Sequence, residues 1–275
     1  ILPYFKRSED HFRGADDMHG AGGEWRVEEP RISWEILNAF RDAAAETGIP
    51  KTEDFNRGNN VGCGYLHIHQ PAGFRWNTAK RFLRPARGRK NLTVLTGAQA
   101  RKLCLKGRRA VGVEVFRDGA VIEVRARREV ILAAGAIGSP QLMEVSGIGT
   151  GARLQEFGIP VRHHLPGVGE NLQDHLQLRT VYKVSNVKTM NERASSFLGR
   201  IGMGIEYALF RRGPLTMAPS QLGAFAKSDP SRETPDLQYH VQPLSLPKFG
   251  EPLDPFPAGT AAVCNLRPES RGSIH

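Results

Sequence analysis

The sequence predicts a mixed α/β chain of the α+β kind, and three observations carry that expectation. Apolar residues recur at helical spacing within the first ninety residues, short β-rich runs broken by Gly-containing turns begin at Asn91, and a nearly continuous apolar run, REVILAAGA, follows them.

In chain order, Ser33 is placed to cap a helix in which Ile36, Leu37, Phe40 and Ala44 share one face, and Gly48 followed by Pro50 stops it. The segment GAGGEWRVEEP ahead of it reads as loop. A second helix is expected to start at Asn77 in FRWNTAKRFLRP and to end before Pro85, because the residue preceding a proline is pushed out of the helical region. Residues 1–90 are thus helices joined by Gly-rich and Pro-rich loops. From Asn91 the runs NLTVLTG, AQARKLCLK, AVGVEVF and AVIEVRA, with turns at KGRR and RDG, predict an antiparallel meander. REVILAAGA has the apolar continuity of a strand covered on both faces, as in a parallel sheet, and belongs to a central segment, residues 91–182. In residues 183–275, NVKTMNERASSFLGRIGMGIEYALFRRGPL predicts one or two helices, and PDLQYHVQPLSL and AGTAAVCNLRP predict strands of a second sheet. Alternation along the first of these sends His240 and Gln242 one way and Tyr239 the other.

At 275 residues the chain can bury a sizeable core, and no apolar stretch approaches the ~20 residues needed to cross a bilayer. Its opening, ILPYFKRSED, has neither a basic nor an apolar targeting region. Cys63, Cys104 and Cys264 are odd in number and far apart, which excludes a disulfide framework and a CxxC pair and points to a reducing cytoplasm. The net charge of +10 favours anionic ligands or nucleic acid as partners.

The stretch EVILAAGAIGSPQLMEVSGIG, residues 129–149, raises the sharpest functional question. Ser139 is a good helix cap, Pro140 a good first residue and Gly147 a good terminator, so a short helix over 140–146 is expected after a strand over 130–133. Between them lies a turn of small residues, Ala134, Gly135 and Ala136. Such a turn leaves backbone amides accessible at the carboxyl edge of a sheet, where ligands bind and helix N-termini favour anions. Alternatively, small residues there let helix and strand pack closely.

That stretch, together with LPYFKRSED, GFRWNTAKRFLRPA, NLTVLTGAQ, RREVILAAGA, LQEFGIPVRHHLPGVGENLQDH and NLRPESRGSI, resembles the flavin-dependent glucose-methanol-choline oxidoreductase family, most of all its choline dehydrogenase and alcohol dehydrogenase-like branch. The resemblance runs in order along essentially the whole chain. It implies FAD as cofactor and hydride transfer from a primary alcohol or choline to the flavin. It assigns 1–90 to a segment linking the FAD and substrate domains, 91–182 to the centre and close of a Rossmann-like FAD domain with its meander, and 183–275 to the first part of a substrate domain with an antiparallel sheet and helices.

The resemblance also implies site residues. Ala134 and Gly135 would lie against FAD, and Ala100, where the family more often has Val, would present its backbone to the adenine. His240 and Gln242 would shape the alcohol pocket. No G-x-G-x-x-G follows a strand here, since GAGG at 20–23 opens no helix, and none of the nine histidines matches the family's catalytic position. The expectation is therefore a central fragment, inactive alone, of an enzyme that is cytoplasmic or peripheral to the inner membrane. The alternative is a noncatalytic module that binds a partner or a nucleotide.

Remaining candidates take blander readings. His67 and His69 share a strand face but find no third ligand at useful spacing, so no metal set is assigned. His163 and His164 read as a solvated loop, and Asn171, Asp174 and His175 in GVGENLQDH as a positioning element. The basic segment RWNTAKRFLRPARGRK has the composition of a nucleic-acid footprint, but Ala79, Phe82 and Leu83 would form the buried face of a short helix, so no nucleic-acid partner is expected.

Overall fold

The computed structural model describes every residue except Phe249. Its helices are α1 Leu2–Ser8, α2 Glu35–Glu46, α3 Arg84–Ala86, α4 Gly135–Val145, α5 Gly151–Glu156, α6 Met190–Ser195 and α7 Phe197–Phe210. Its strands are β1 Glu9–His11, β2 Trp25–Val27, β3 Gly62–Tyr65, β4 Gln99–Lys106, β5 Arg109–Arg117, β6 Ala120–Arg125, β7 Ile148–Gly149, β8 His163–His164, β9 Gln177–Lys183, β10 Leu222–Ala226, β11 Leu237–Gln242 and β12 Ala258–Asn265. The mixed α/β class is the observed one. The chain divides into two compact units, one of residues 1–89 with 175–267, the other of 90–174 with 268–275.

The larger unit is built on an antiparallel sheet in the order β3-β10-β11-β12-β9. Helix α2 covers one face. Leu37 and Ala44 of α2 cluster with Trp34, Cys63, Leu222, Ala224 and Val241, and Phe40, Ile36 and Tyr239 pack around them. The helical spacing of apolar residues thus produces the stripe that the sheet buries. The cap differs from expectation: Trp34 takes the cap position in extended conformation and no side chain caps the helix, so Ser33 does not serve. Gly64 in β3 is needed for close approach, because a Cβ there would stand 2.1 Å from the Thr52 carbonyl oxygen of the segment running beside it.

Residues 1–90 are not purely helical. GAGGEWRVEEP contains β2, which pairs in parallel with β1, and β3 joins the large sheet. Three-residue strands carry too little periodicity to stand out from loop in a sequence. Around Asn77 a helical turn does form, and the Lys80 amide donates to Asn77 Oδ1. It is a π turn over Ala79–Leu83 that runs on through Pro85 into α3 rather than stopping before it. Its apolar residues form no buried face: Phe82 keeps 42% exposure and stacks on Trp25 with ring centroids 5.6 Å apart. In the last third, the helices appear as α6 and α7. A capping box of Thr189 and Glu192 opens α6, and the Ser196 hydroxyl accepts from the Gly199 amide at the start of α7.

The smaller unit holds the meander β4-β5-β6, with register shifts after Ala100 and after Cys104. Helix α4 packs near it, and the Leu103 amide donates to the buried Ser146 hydroxyl at 2.7 Å. Two strand expectations are corrected here. Residues 92–96 and 129–133 carry no regular secondary structure and belong to no sheet. A strand is held by lateral hydrogen bonds, and no described residue supplies a ladder to either segment. Ile131, in the middle of the apolar run, is 78% exposed.

The expected helix over 140–146 is also corrected, because α4 starts a turn earlier at Gly135 and carries Pro140 inside it. Gly135 at φ +79° lets the chain enter the helix directly from Ala134, and the Ala134 amide donates to Ser139 Oγ at 3.1 Å. His163 and His164 form β8, paired in parallel with β7, rather than a solvated loop. His164 Nδ1 accepts from the Gly151 amide at 3.0 Å, at the head of α5. Ring acceptance of an otherwise unpaired helix-start amide gives that histidine its structural place.

Candidate cofactor and substrate sites

In the smaller unit the small-residue turn is open. Ala134, Gly135, Ala136 and Ile137 are all exposed, and among the described residues nothing beyond its immediate chain neighbours and its own helix backbone lies within 4 Å of a Cβ built on Gly135. The first amides of the eleven-residue α4 have no partner within the helix and present partial positive charge outward. A cavity of about 640 Å³ lies there, lined by Ala136, Ser139, Met143, Gly167 and Asn171 among others. Asn171 holds a left-handed backbone at φ +61°, as asparagine tolerates better than most residues, and places the GVGENLQDH loop against the cavity. Ala100 lies on the exposed part of β4, at the bulge where the register with β5 shifts. A bulge breaks the regular ladder and leaves main-chain groups for other partners.

In the larger unit His240 and Gln242 lie on β11, and Tyr239 turns into the α2 core. The alternation read from the sequence is thus realised. His240 is half-buried, and burial holds its pKa below the usual histidine value, which favours the neutral ring. Its ladder neighbours are Gly223 and Ala262, so the imidazole is flanked by the two smallest residue types. Gln242 donates to Ser220 Oγ at 3.4 Å.

His67 and His69 diverge. His69 Nε2 accepts from Trp25 Nε1 at 2.7 Å while its Nδ1 lies 3.2 Å from the Arg26 carbonyl oxygen. His67 instead meets Phe12 and His11 edge-on, with centroids 5.2 and 5.3 Å away. Of the basic segment, Arg81 stacks over Trp76 at 3.9 Å, so part of its charge serves a local cation–π contact. The fold also assembles a buried group that the spacing had not suggested: His11, His19 and Asp54, separated by 8 and 35 positions in sequence.

The family profile described as GMC oxidoreductase matches residues 1–177, and the chain belongs to that family. It is 39% identical over 275 residues to oxygen-dependent choline dehydrogenase 1 of Chromohalobacter salexigens, covering 99% of this chain and 49% of that protein. It is 36% identical over 274 residues to oxygen-dependent choline dehydrogenase of Brucella anthropi, covering 100% of this chain and 50% of that protein. Among solved structures, pyridoxine 4-oxidase from Mesorbium loti superposes with a TM-score of 0.81 at 30% identity, over 99% of this chain and 50% of the other. Formate oxidase, at 20% identity, shares the fold with a TM-score of 0.83, over 98% and 52%. The chain spans about half the length of the curated relatives it matches. An FAD-dependent oxidoreductase from Chaetomium thermophilum, at 22% identity, likewise shares the fold with a TM-score of 0.86, over 99% of this chain and 56% of the other. Among the described residues no helix is long and apolar enough to cross a membrane.

Proposed function

We propose that this chain forms the central part of an FAD-dependent oxidoreductase that converts a primary alcohol, choline foremost, to the aldehyde. Bound FAD supplies the hydride acceptor. The observation that carries the reading is the open main chain at Ala134 and Gly135 in a member of the GMC family.

A flavin nucleotide fits these residues in two respects. The exposed turn and the cavity beside it take a ligand without displacing any side chain, and the N-terminal amides of α4 suit an anionic group. Main chain at Ala134 and Gly135 then binds the cofactor, and Ala100 contributes backbone at the adenine end. On β11, His240 and Gln242 orient the alcohol, with a neutral imidazole and an amide able to donate to or accept from a hydroxyl. In this reading the proton-accepting histidine and the phosphate loop belong to other parts of the whole protein, so hydride transfer is a property of the whole and the isolated chain is inactive. In the cell the whole protein works in the cytoplasm or at the periphery of the inner membrane.

The test is to add FAD to the purified 275-residue chain and record the flavin spectrum and choline-dependent dye reduction. Flavin retention without turnover is the expected result. Turnover by these residues alone overturns the inactive-fragment reading, and no flavin retention by any protein carrying this chain overturns the cofactor site.

A further inference from the structure

We propose that helix α7, Phe197–Phe210, lays its outward face in the surface of an anionic lipid bilayer, with neighbouring arginines meeting the headgroups. The proposal rests on the peripheral placement given above and names the surface responsible, and it is independent of the flavin site. At about 100° per residue, Phe197, Leu198, Ile201, Ile205, Ala208 and Leu209 fall within an arc of roughly 120° that holds no polar side chain. All six are exposed, Leu198 at 78% and Leu209 at 70%. The opposite side fixes the helix to the protein: Met203 is buried, and the Tyr207 hydroxyl donates to the Gly73 carbonyl oxygen at 3.3 Å. A continuous apolar face marks an interaction surface, which singly scattered apolar residues do not.

Charge decides what that face meets. From 193 to 212 the chain carries Arg193, Arg200, Arg211 and Arg212 against one acid, Glu206. The basic segment that begins at Arg75, unused by the cofactor and substrate sites, abuts the C-terminal end of α7. Arg211 lies 4.6 Å from the Phe74 ring centroid, and a Cβ on Gly73 would stand 2.4 Å from the Arg211 carbonyl oxygen. Phe74 is itself exposed and extends the apolar surface. Arg75, Lys80, Arg84 and Arg87 follow, all exposed, with no acid among residues 70–89. An apolar helix face bordered by such a cluster has the composition that binds anionic lipid.

Other occupants fit less well. A second copy seated across a two-fold axis would bring the same arginines together, like charge against like charge. An apolar segment of the same polypeptide would cover the helix face and leave the basic border without an anion. Length excludes spanning, since fourteen residues make about 21 Å of helix, short of a ~30 Å hydrocarbon core. Lying in the surface, the aliphatic side chains leave water while the helix keeps its main-chain groups paired.

Flotation of the purified, flavin-loaded whole protein with lipid vesicles tests the surface. Binding to phosphatidylcholine vesicles containing phosphatidylglycerol, absent with phosphatidylcholine alone and falling as salt is added, is the expected result. Leu198→Gln, Ile205→Gln and Leu209→Gln together should lower the bound fraction about tenfold or more, and Arg200→Gln should weaken binding about fivefold. Flavin absorbance of the same samples should stay unchanged, so loss of the cofactor is seen separately from loss of docking. Should the triple variant fail to fold, a bimane label on Ile205→Cys decides, and its emission should shift to the blue on anionic vesicles. No flotation, flotation of the folded triple variant, equal flotation with neutral vesicles, or an unshifted label overturns the proposal. So does a cysteine at 205 that cannot be labelled in the whole protein, which marks the face as covered by another segment. A dimer that the triple variant breaks overturns it in favour of a second copy.

Discussion

Gly223 stands directly opposite His240 in the ladder between β10 and β11. The space beside the imidazole is therefore bounded by Leu66, which a Cβ at position 223 would meet at 3.1 Å. Gly223→Val fills that space. If His240 and Gln242 line the alcohol pocket, this variant and His240→Leu should each raise KM for choline several-fold while flavin content stays unchanged. Steady-state kinetics with a flavin absorbance reading on the whole protein checks both.

His240 also sets an acid limit on stability. Burial depresses its folded pKa, whereas in the unfolded chain it titrates near the ordinary value of about 6.5. Below that pH the unfolded state binds the proton and the folded state does not, so unfolding becomes easier as pH falls. The melting temperature should drop between pH 7.5 and pH 5.5 less steeply in His240→Gln than in the unaltered protein.

Gly135 at φ +79° occupies backbone space that β-branched residues avoid. Gly135→Val should strain the entry to α4 by roughly 1–3 kcal/mol and displace the main chain proposed above to bind the cofactor. Flavin content per polypeptide after purification should fall sharply, while Gly135→Asn retains more of it because asparagine tolerates the left-handed region.

Cys63 is fully buried, and desolvation pushes its thiol pKa up to about 11. At pH 8 the native protein should leave Cys63 unlabelled by iodoacetamide, and labelling should appear only on unfolding, as mass spectrometry of digests would record.

Two substitutions probe the cores of the separate units. Leu37→Ala removes a side chain with no exposure from the α2 face and should cost about 2–5 kcal/mol. Ser146→Ala strips the acceptor from the Leu103 amide in the smaller unit and should cost about 1–3 kcal/mol. Denaturant unfolding with separate probes for each unit would read the two effects.

Much of the architecture was legible because local periodicity is a strong signal where one face is buried. The α2 stripe, the three strands of the meander, the helices α6 and α7, and strands β11 and β12 all follow from it. The left-handed turn at Gly135 was foreshadowed by the run of small residues, and the opposed directions of His240 and Tyr239 by strand alternation. Motif order along the chain also pointed to the family that the profile match establishes.

Other features depend on which segments meet in space. The apolar run at 129–133 reads as a strand, yet it stays outside every sheet because a ladder requires a partner and no described residue provides one. β3 reaches the large sheet by pairing with β10, more than 150 positions further along the chain, and nothing local to GCGY announces that partner. The group of His11, His19 and Asp54 has the same origin. By itself the sequence determined periodicity, turn chemistry and kinship, since these are properties of neighbouring residues. The tertiary structure alone decided which extended segments became strands and which distant side chains share a buried space, because hydrogen-bond partners and desolvation exist only once the chain has closed on itself.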